Sequence, residues 1–266
     1  MPTKDSASIR LLQLSDTHFG EVSGERLLGL DPEESLSDVL ASVRANESGF
    51  DHLVLSGDVA TEGCPASYQR VLKLLARDLP LPMHWLPGNH DGPVDMLAAR
   101  PTSRESVFEL GDWLCIMLDS KAPGEVSGRL AEEELNMLED ALVRHPGRPT
   151  LIFLHHHPVC LGSGWLDGNM LQNPEALFAI LTRFEQVKAL SWGHVHQEYR
   201  GDYQGIQLIA SPSTCIQFAP RIDAFTLDRQ MPGYRWYELH SDGRFDTGVV
   251  RVPNKSYGID FDSQGY

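Results

Sequence analysis

Apolar and polar positions along this chain form short apolar runs that alternate with longer amphipathic stretches. The short runs, bounded by turn residues, are typical of buried strands. They predict strands at residues 9–15, 51–56, 83–86, 113–118, 150–154 and 189–192. The amphipathic stretches carry apolar residues three and four apart, and they predict helices at residues 32–46, 65–78, 131–144 and 174–184. Asp31 has the position of an N-cap for the first helix, and Pro32 that of its first helical residue.

The pattern changes after residue 200, where short strands and turns replace the helical stretches. Strands are predicted at residues 206–210, 224–227, 235–240 and 246–251, with antiparallel or mixed pairing in a second sheet. Strands that alternate with helices indicate an α/β layered fold. We expect residues 1–252 to form a single domain. We expect the polar, glycine-containing stretch 253–266 to be a loosely held C-terminal tail.

Composition narrows the class of protein. The 266 residues include 37 acidic and 22 basic side chains, which gives a formal net charge of −15. Such a surface repels phosphate backbones and anionic lipid, so it disfavours nucleic-acid and membrane partners. The sequence shows neither a secretory signal pattern nor an apolar stretch long enough for a membrane span. Four scattered cysteines without a CxxC pair favour reduced thiols and a cytoplasmic location.

Histidine placement is the most informative feature of the sequence. Seven of the 11 histidines lie in four short clusters, and a fifth cluster supplies a carboxylate. Each cluster directly follows a predicted strand. Loops at the carboxyl ends of strands line the ligand site of open α/β sheets, so these clusters can converge. The five clusters are Ser15-Asp16-Thr17-His18, Ser56-Gly57-Asp58, Gly88-Asn89-His90-Asp91, His155-His156-His157-Pro158 and Gly193-His194-Val195-His196.

The side chains in these clusters suit transition-metal ions. Imidazole nitrogen mixed with carboxylate oxygen, and no thiolate, favours Fe, Mn, Zn or Co over Ca or a structural zinc site. About seven ligands exceed what one catalytic ion with an open position needs, but they suit two ions. Asp58 is the natural bridge between the ions, and Asn89 adds a neutral amide oxygen. Two divalent ions, two aspartates and a hydroxide leave a net charge of about +1, which a phosphodiester monoanion would neutralise.

The motifs D-x-H, G-D, G-N-H-D, H-x-x-P and G-H-x-H, in this order, resemble the calcineurin-like metallophosphoesterase superfamily. Further segments resemble the bacterial class III 3′,5′-cyclic-AMP phosphodiesterases within it, from about residue 10 to beyond residue 240. These segments are Leu14–His18, Trp85–Asp91, Leu154–Pro158, Ser163–Asp167, Gly193–Glu198, Pro212–Phe218 and Pro232–Arg235.

The resemblance implies a fold, an activity and a set of site residues. The fold would be a four-layer α/β/β/α sandwich of two mixed sheets flanked by helices. A metal-bridging hydroxide would hydrolyse cyclic AMP to 5′-AMP, with two divalent ions, iron and/or manganese, as cofactors. One ion would be held by Asp16, His18, Asp58 and His196, and the other by Asp58, Asn89, His155 and His194.

The same resemblance assigns the substrate and the catalytic residues. The small-molecule substrate would contact His18, Asp58, Asn89, His90 and His196, and His90 and Asp58 would be catalytic. His90 would hydrogen-bond the phosphoryl group or protonate the departing 3′-oxygen. The residue before Gly-Asn-His is Pro87, where the related phosphoprotein phosphatases carry an arginine. Without that bidentate contact to a dianionic monoester, a monoanionic diester is the better substrate.

Several alternatives remain open from the sequence. Glycerophosphodiesters, 2′,3′-cyclic nucleotides or a broad range of diesters would fit the same metal core, and so would a non-catalytic scaffold. A mononuclear iron oxygenase would leave Asp58 and Asn89 unexplained. His156 and His157 are expected outside the ligand set, and Asp91 is expected to tie down its loop. Trp165 either stacks on a base or fills a loop, and Phe218 has the same two interpretations.

Overall fold

The computed structural model describes residues 8–46, 49–100, 105–253 and 255–265. Its first sheet has five strands: three parallel neighbours extend to one edge, and two strands with antiparallel pairing complete the other side. In spatial order these are β13 (Phe245–Arg251), β12 (Gly233–Leu239), β1 (Ile9–Leu14), β2 (His52–Ser56) and β3 (Met83–Leu86).

The second sheet has six strands with four parallel strands at its centre and an antiparallel strand at each edge. In spatial order these are β4 (Val107–Leu110), β5 (Trp113–Met117), β6 (Thr150–Phe153), β7 (Val187–Trp192), β9 (Ile206–Ala210) and β8 (Tyr199–Tyr203). A small antiparallel pair, β10 (Gln217–Phe218) and β11 (Leu227–Asp228), lies apart from both sheets.

Three apolar cores separate four layers, because each sheet is buried on both faces. The core on the outer face of the first sheet packs strands against α1 (Pro32–Asn46), α2 (Pro65–Asp78) and α3 (Pro93–Ala99). The core between the sheets joins β1, β2 and β12 to β5, β6 and β7. The core on the outer face of the second sheet includes α4 (Glu132–Arg144), the short α5 (Gly164–Asp167) and α6 (Pro174–Leu181). The α/β/β/α sandwich with two mixed sheets is therefore confirmed.

Most predicted elements are present, and the bounds of α1, α2, β3 and β9 agree with the prediction. The C-terminal strands β12 and β13 were wrongly assigned to a second sheet, since they extend the first sheet beside β1. The predicted strand at 224–227 is instead the short β11, Leu227–Asp228. The pattern missed β4, β8, β10, α3 and α5, which are edge strands or elements of few residues with weak periodicity.

The expectation of a loosely held tail is wrong for residues 255–265. Tyr257 is buried and donates a hydrogen bond to Asp38 on α1 at 2.9 Å, and Lys255 pairs with the same carboxylate at 2.5 Å. Asp260 N donates to Leu28 O at 2.9 Å. Apolar side chains of the tail, such as Tyr257 and Phe261, bury their surface against the sandwich. The polar composition of the segment does not reveal this packing. In the part of the chain that the structure describes, no helix is long and apolar enough to cross a bilayer, and the cytoplasmic location stays a prediction.

Candidate metal centre

The five predicted clusters meet at one edge of the sandwich. β1, β2 and β3 are parallel, as are β6 and β7, so the carboxyl ends of each set face the same way. Asp16 and His18 follow β1 and Asp58 follows β2, while the histidine clusters follow β3, β6 and β7. The two sheets therefore deliver polar side chains to one place between their ends.

Five residues of these clusters have backbone conformations in the left-handed region. Asp16 (φ 55°), His18 (φ 49°), Asp58 (φ 48°), His194 (φ 66°) and His196 (φ 45°) all have positive φ. Residues with a Cβ rarely adopt this conformation, and such strain clusters at functional sites. The sharp turns re-aim each side chain toward its neighbours immediately after the strand ends.

Glycines at three strand ends allow the elements to approach this closely. A Cβ on Gly88 would lie 2.5 Å from the main-chain nitrogen of Asp58, and a Cβ on Gly193 would lie 2.0 Å from Ser15 Oγ. Gly57 has φ +95° and faces the His155 ring. No side chain fits in these positions without moving backbone or site residues, so the close approach of the loops depends on glycine.

Asp16, His18 and His196 form one half of the cluster. His18 Nε2 lies 3.1 Å from His196 Nε2, and His196 Nε2 lies 3.3 Å from Asp16 Oδ1. All three side chains are buried, and their potential ligand atoms lie within 4.8 Å of one another. The main-chain N–H of His194 donates to Asp16 Oδ1 at 3.0 Å, which orients the carboxylate.

Asp58, His155 and His194 form the other half, with Asn89 beside them. Asp58 Oδ2 lies 3.1 Å from His155 Nε2 and 3.9 Å from His18 Nε2, so this carboxylate stands between the two halves. The rings of His155 and His194 are 5.1 Å apart. Asp16 Oδ1 also comes within 4.0 Å of His155 Nε2, so both aspartates contact both halves.

Main-chain carbonyls fix the direction in which three of the imidazoles face. His155 Nδ1 donates to Ser56 O at 2.8 Å, His196 Nδ1 to Ile216 O at 2.9 Å, and His90 Nδ1 to Thr61 O at 2.8 Å. A ring that donates from Nδ1 presents Nε2 as its lone-pair nitrogen. Metal-binding histidines are commonly oriented in this way.

The pKa values of the cluster histidines depend on burial and on the two buried aspartates. Burial disfavours the charged form of His155, but the carboxylates of Asp58 and Asp16 outweigh burial and raise its pKa to about 9. Burial lowers the pKa of His18 to about 3, and burial with neighbouring histidines holds the pKa of His194 well below its usual value. The positive charge on His155 thus compensates the two buried carboxylates, and a bound cation could take over this role.

The side chains fit a pair of metal ions. Among the described residues, Asn89 Oδ1 and His194 Nε2 are buried and have no hydrogen-bond partner. Buried polar atoms without partners are rare and costly unless something outside the protein satisfies them. Oxygen and nitrogen donors without thiolate are the set that borderline divalent ions accept. The Asp and His cluster is therefore a potential dimetal site.

The remaining predicted residues surround this cluster. His90 lies at its rim, half-buried, with its main-chain N–H donating to Asp58 Oδ1 at 2.9 Å. His156 uses both ring nitrogens in contacts with Ser120 Oγ and Val126 O. His157 is buried and stacks on His194 with ring centroids 5.6 Å apart. Asp91 accepts from Val59 N, Ala60 N and Gly88 N, so it ties two loops together, as predicted.

A cavity of about 350 Å³ opens beside the cluster. Its lining includes the polar residues Asp58, Asn89, His90 and His194 and the aromatic residues Trp165, Phe218 and Phe225. Phe218 stacks on the His196 ring at 4.2 Å, and Trp165 meets Phe218 edge-on at 4.8 Å. Sequence reasoning missed Phe225, the tail residues Gln264 and Gly265, and the carbonyls that orient the histidines. No motif marks Phe225 or Gln264, and a carbonyl carries no sequence signal.

Comparison with known proteins agrees with this geometry. The chain is 43% identical over 262 residues to the 3′,5′-cyclic adenosine monophosphate phosphodiesterase CpdA of Pseudomonas aeruginosa, covering 98% of this chain and 96% of that protein. It is 40% identical to the enzyme of the same name from Escherichia coli K12, covering 100% and 98%. A dimetal phosphatase from Danio rerio has the same fold, with a TM-score of 0.63 at 17% identity, covering 92% of this chain and 99% of that one. Residues 9–198 match the family described as calcineurin-like phosphoesterase, and this chain belongs to that family.

Proposed function

We propose that this protein hydrolyses 3′,5′-cyclic AMP to 5′-AMP at a dinuclear metal centre. The observation that carries the proposal is the convergence of two aspartates and four histidines into one buried cluster beside a cavity. The cavity volume lies in the range of small-molecule sites. The CpdA relatives, which cover nearly the whole chain, are named for this reaction.

The proposed ligand sets share one aspartate. Asp16, His18 and His196 would hold one ion and Asn89, His155 and His194 the other, with Asp58 between them. Asp58 Oδ2 supports this role because it lies within 4 Å of imidazole nitrogens from both halves. When bound, the two ions supply an activated water and positive charge for a phosphodiester. The mixed nitrogen and oxygen ligation suits Fe, Mn, Zn or Co, and iron and manganese are the ions we propose, on the family resemblance.

His90 is the proposed proton donor to the departing 3′-oxygen. Its Nδ1 is engaged by Thr61 O, so Nε2 is the atom that would exchange a proton with the substrate. It also lines the cavity beside Asn89. Asp58 positions His90 by accepting its main-chain N–H. His18, Asp58, Asn89 and His196 would contact the substrate through the metal cluster they form.

The test combines metal analysis with turnover on one preparation. We expect two metal ions per chain and hydrolysis of cyclic AMP that a chelator abolishes and added Mn²⁺ or Fe²⁺ restores. Asp58→Ala should lose both bound metal and activity. The control is Asp242→Ala, in the exposed turn between β12 and β13 beside the amino end of β1, and it should keep both.

Three outcomes would contradict the proposal. A preparation with two ions per chain that hydrolysed no diester would indicate a non-catalytic scaffold. Faster hydrolysis of glycerophosphocholine or of a 2′,3′-cyclic nucleotide than of cyclic AMP would assign the same centre to another diester. Higher turnover of aryl phosphate monoesters would contradict the choice of a diester made from Pro87.

A further inference from the structure

The C-terminal tail reaches the cavity beside the metal cluster. Gln264 and Gly265 line this cavity together with Trp165 and Phe225. The tail is anchored well before that point, because Tyr257 is buried and bonded to Asp38 on α1. A segment of fewer than ten residues therefore connects a fixed anchor to the wall of the cavity.

Close backbone packing holds the tail in this path. A Cβ on Gly29 would lie 2.4 Å from Gly258 O, so the tail backbone runs directly over the loop before α1. Arg229 places its guanidinium 4.3 Å from the Phe261 ring, which gives a cation–π contact near the end of the tail. Tyr257, Ile259 and Phe261 all pack against the outer core of the second sheet. The tail is thus packed against the sandwich as far as Phe261, and the exposed residues Gln264 and Gly265 follow at the cavity.

The lining of the cavity combines two kinds of side chain. Asp58, Asn89, His90 and His194 contribute polar groups, and Trp165, Phe218 and Phe225 contribute aromatic rings. A cyclic nucleotide has the same division, with an anionic phosphodiester at one end and an aromatic base at the other. Aromatic side chains bind base faces through stacking, so the base belongs against these rings, in the cavity that Gln264 also lines.

Gln264 brings a hydrogen-bond acceptor to the cavity. Its Nε2 donates one hydrogen to Asp262 O at 3.0 Å, which fixes the amide within the tail. The amide carbonyl oxygen can accept a hydrogen bond from a bound ligand. The exocyclic amino group of adenine is such a donor, whereas guanine carries an acceptor oxygen at the same position.

We propose that the tail forms the base-reading wall of the active site, with Gln264 accepting a hydrogen bond from the adenine amino group while Trp165 packs against the base. This inference rests on the proposed function and names the residue that selects the base. Trp165 Nε1 adds a buried donor with no hydrogen-bond partner among the described residues. The tail is thereby a part of the substrate site rather than an appendage.

The test compares substrates with and without the adenine amino group. The metal-loaded full chain is assayed with cyclic AMP, cyclic GMP and the 3′,5′-cyclic phosphate of purine riboside, which lacks the amino group. We expect the wild-type protein to favour cyclic AMP over the purine analogue in kcat/KM by about threefold to tenfold, the value of one hydrogen bond. In Gln264→Ala this preference should disappear, through a higher KM for cyclic AMP.

A matched control and a second variant complete the design. Gln230→Ala removes another exposed glutamine that lies outside the cavity lining, and it should keep the wild-type preference. Gln264→Glu keeps an acceptor oxygen and should retain a preference for cyclic AMP over the purine analogue. Metal content and thermal unfolding of each variant verify that the fold is intact.

The outcomes separate this inference from the proposed function. A wild-type protein that hydrolyses cyclic AMP, with the same preference over the purine analogue in Gln264→Ala, would overturn the role of Gln264 alone. A wild-type protein with no preference between the two substrates would do the same. A metal-loaded protein that cleaves bis(p-nitrophenyl) phosphate but not cyclic AMP would overturn the proposed function and this inference with it.

Discussion

At the scale of single residues, backbone conformation and hydrogen bonding decide what each histidine can do. His155, His196 and His90 each donate Nδ1–H to a main-chain carbonyl, which directs Nε2 into the site. His156 has partners on both nitrogens, which are Ser120 Oγ and Val126 O. The roles of chemically identical side chains therefore differ because their neighbours differ.

His90 provides the sharpest test at this scale. We expect His90→Ala to retain two metal ions per chain and to lose turnover by about 100-fold or more, because a proton donor is removed while the proposed ligands stay. Metal analysis and kcat for cyclic AMP measure the two effects separately. The control is His240→Ala, which removes a histidine paired with Asp246 away from the cluster, and it should change neither metal content nor kcat. Loss of metal from His90→Ala would mean that His90 is a ligand.

At the scale of elements, hydrogen bonds to Asp91 connect the loop after β2 to the loop after β3. Asp91 binds main-chain N–H groups of both loops, and burial followed by the charge of Asp58 raises its pKa to about 6. Tyr68 on α2 donates to Asp91 Oδ1 at 3.1 Å and accepts from Gly92 N at 2.7 Å. Helix α2 therefore fixes the loop that carries Asn89 and His90.

Replacing Tyr68 by Phe should weaken this connection without changing the packed ring. We expect Tyr68→Phe to lower the free energy of unfolding by about 1–3 kcal/mol, because the part-buried N–H of Gly92 and the buried carboxyl of Asp91 lose a partner. Urea unfolding of the metal-free protein measures the change. Tyr257→Phe should cost less, since Asp38 keeps its contact with Lys255 near the surface. An equal loss in both variants would contradict the role assigned to Tyr68.

At the scale of the whole molecule, a buried polar network joins the two sheets behind the metal cluster. Gln13 on β1 donates to Ser56 Oγ at 2.8 Å, and its Oε1 accepts from Ser191 and Tyr237, each at 2.8 Å. All four side chains are fully buried. Ser191 belongs to the second sheet and the other three residues belong to the first. The network therefore fixes the relative position of the two sheets through hydrogen bonds.

We expect Gln13→Leu to destabilise the protein by about 1–3 kcal/mol, because Ser56 and Ser191 lose a buried partner that water cannot replace. Chemical denaturation of the metal-free chain measures this loss. Gln207→Leu on β9, at a partly exposed site, serves as the control and should change stability by less than about 0.5 kcal/mol. Indistinguishable midpoints for the two variants would show that the network contributes nothing.

The sequence by itself determined the local elements and the order of the site clusters. The bounds of α1 and α2 followed from apolar spacing, and those of α1 also from Pro32 at its first position, since these signals lie within one element. The five clusters were identified because each follows an apolar strand directly. The chemistry of a metal site also followed, since it depends on the kinds of side chain present.

Only the tertiary structure decided what depends on contacts between distant parts of the chain. His18 and His196 are separated by 178 positions, yet their ring nitrogens lie 3.1 Å apart because two sheets end at the same edge. The placement of β12 and β13 beside β1, and of Gln264 at the cavity, likewise has no signal in local periodicity. Periodicity reports which face of an element is buried, whereas the partner that buries it is selected when the whole chain packs.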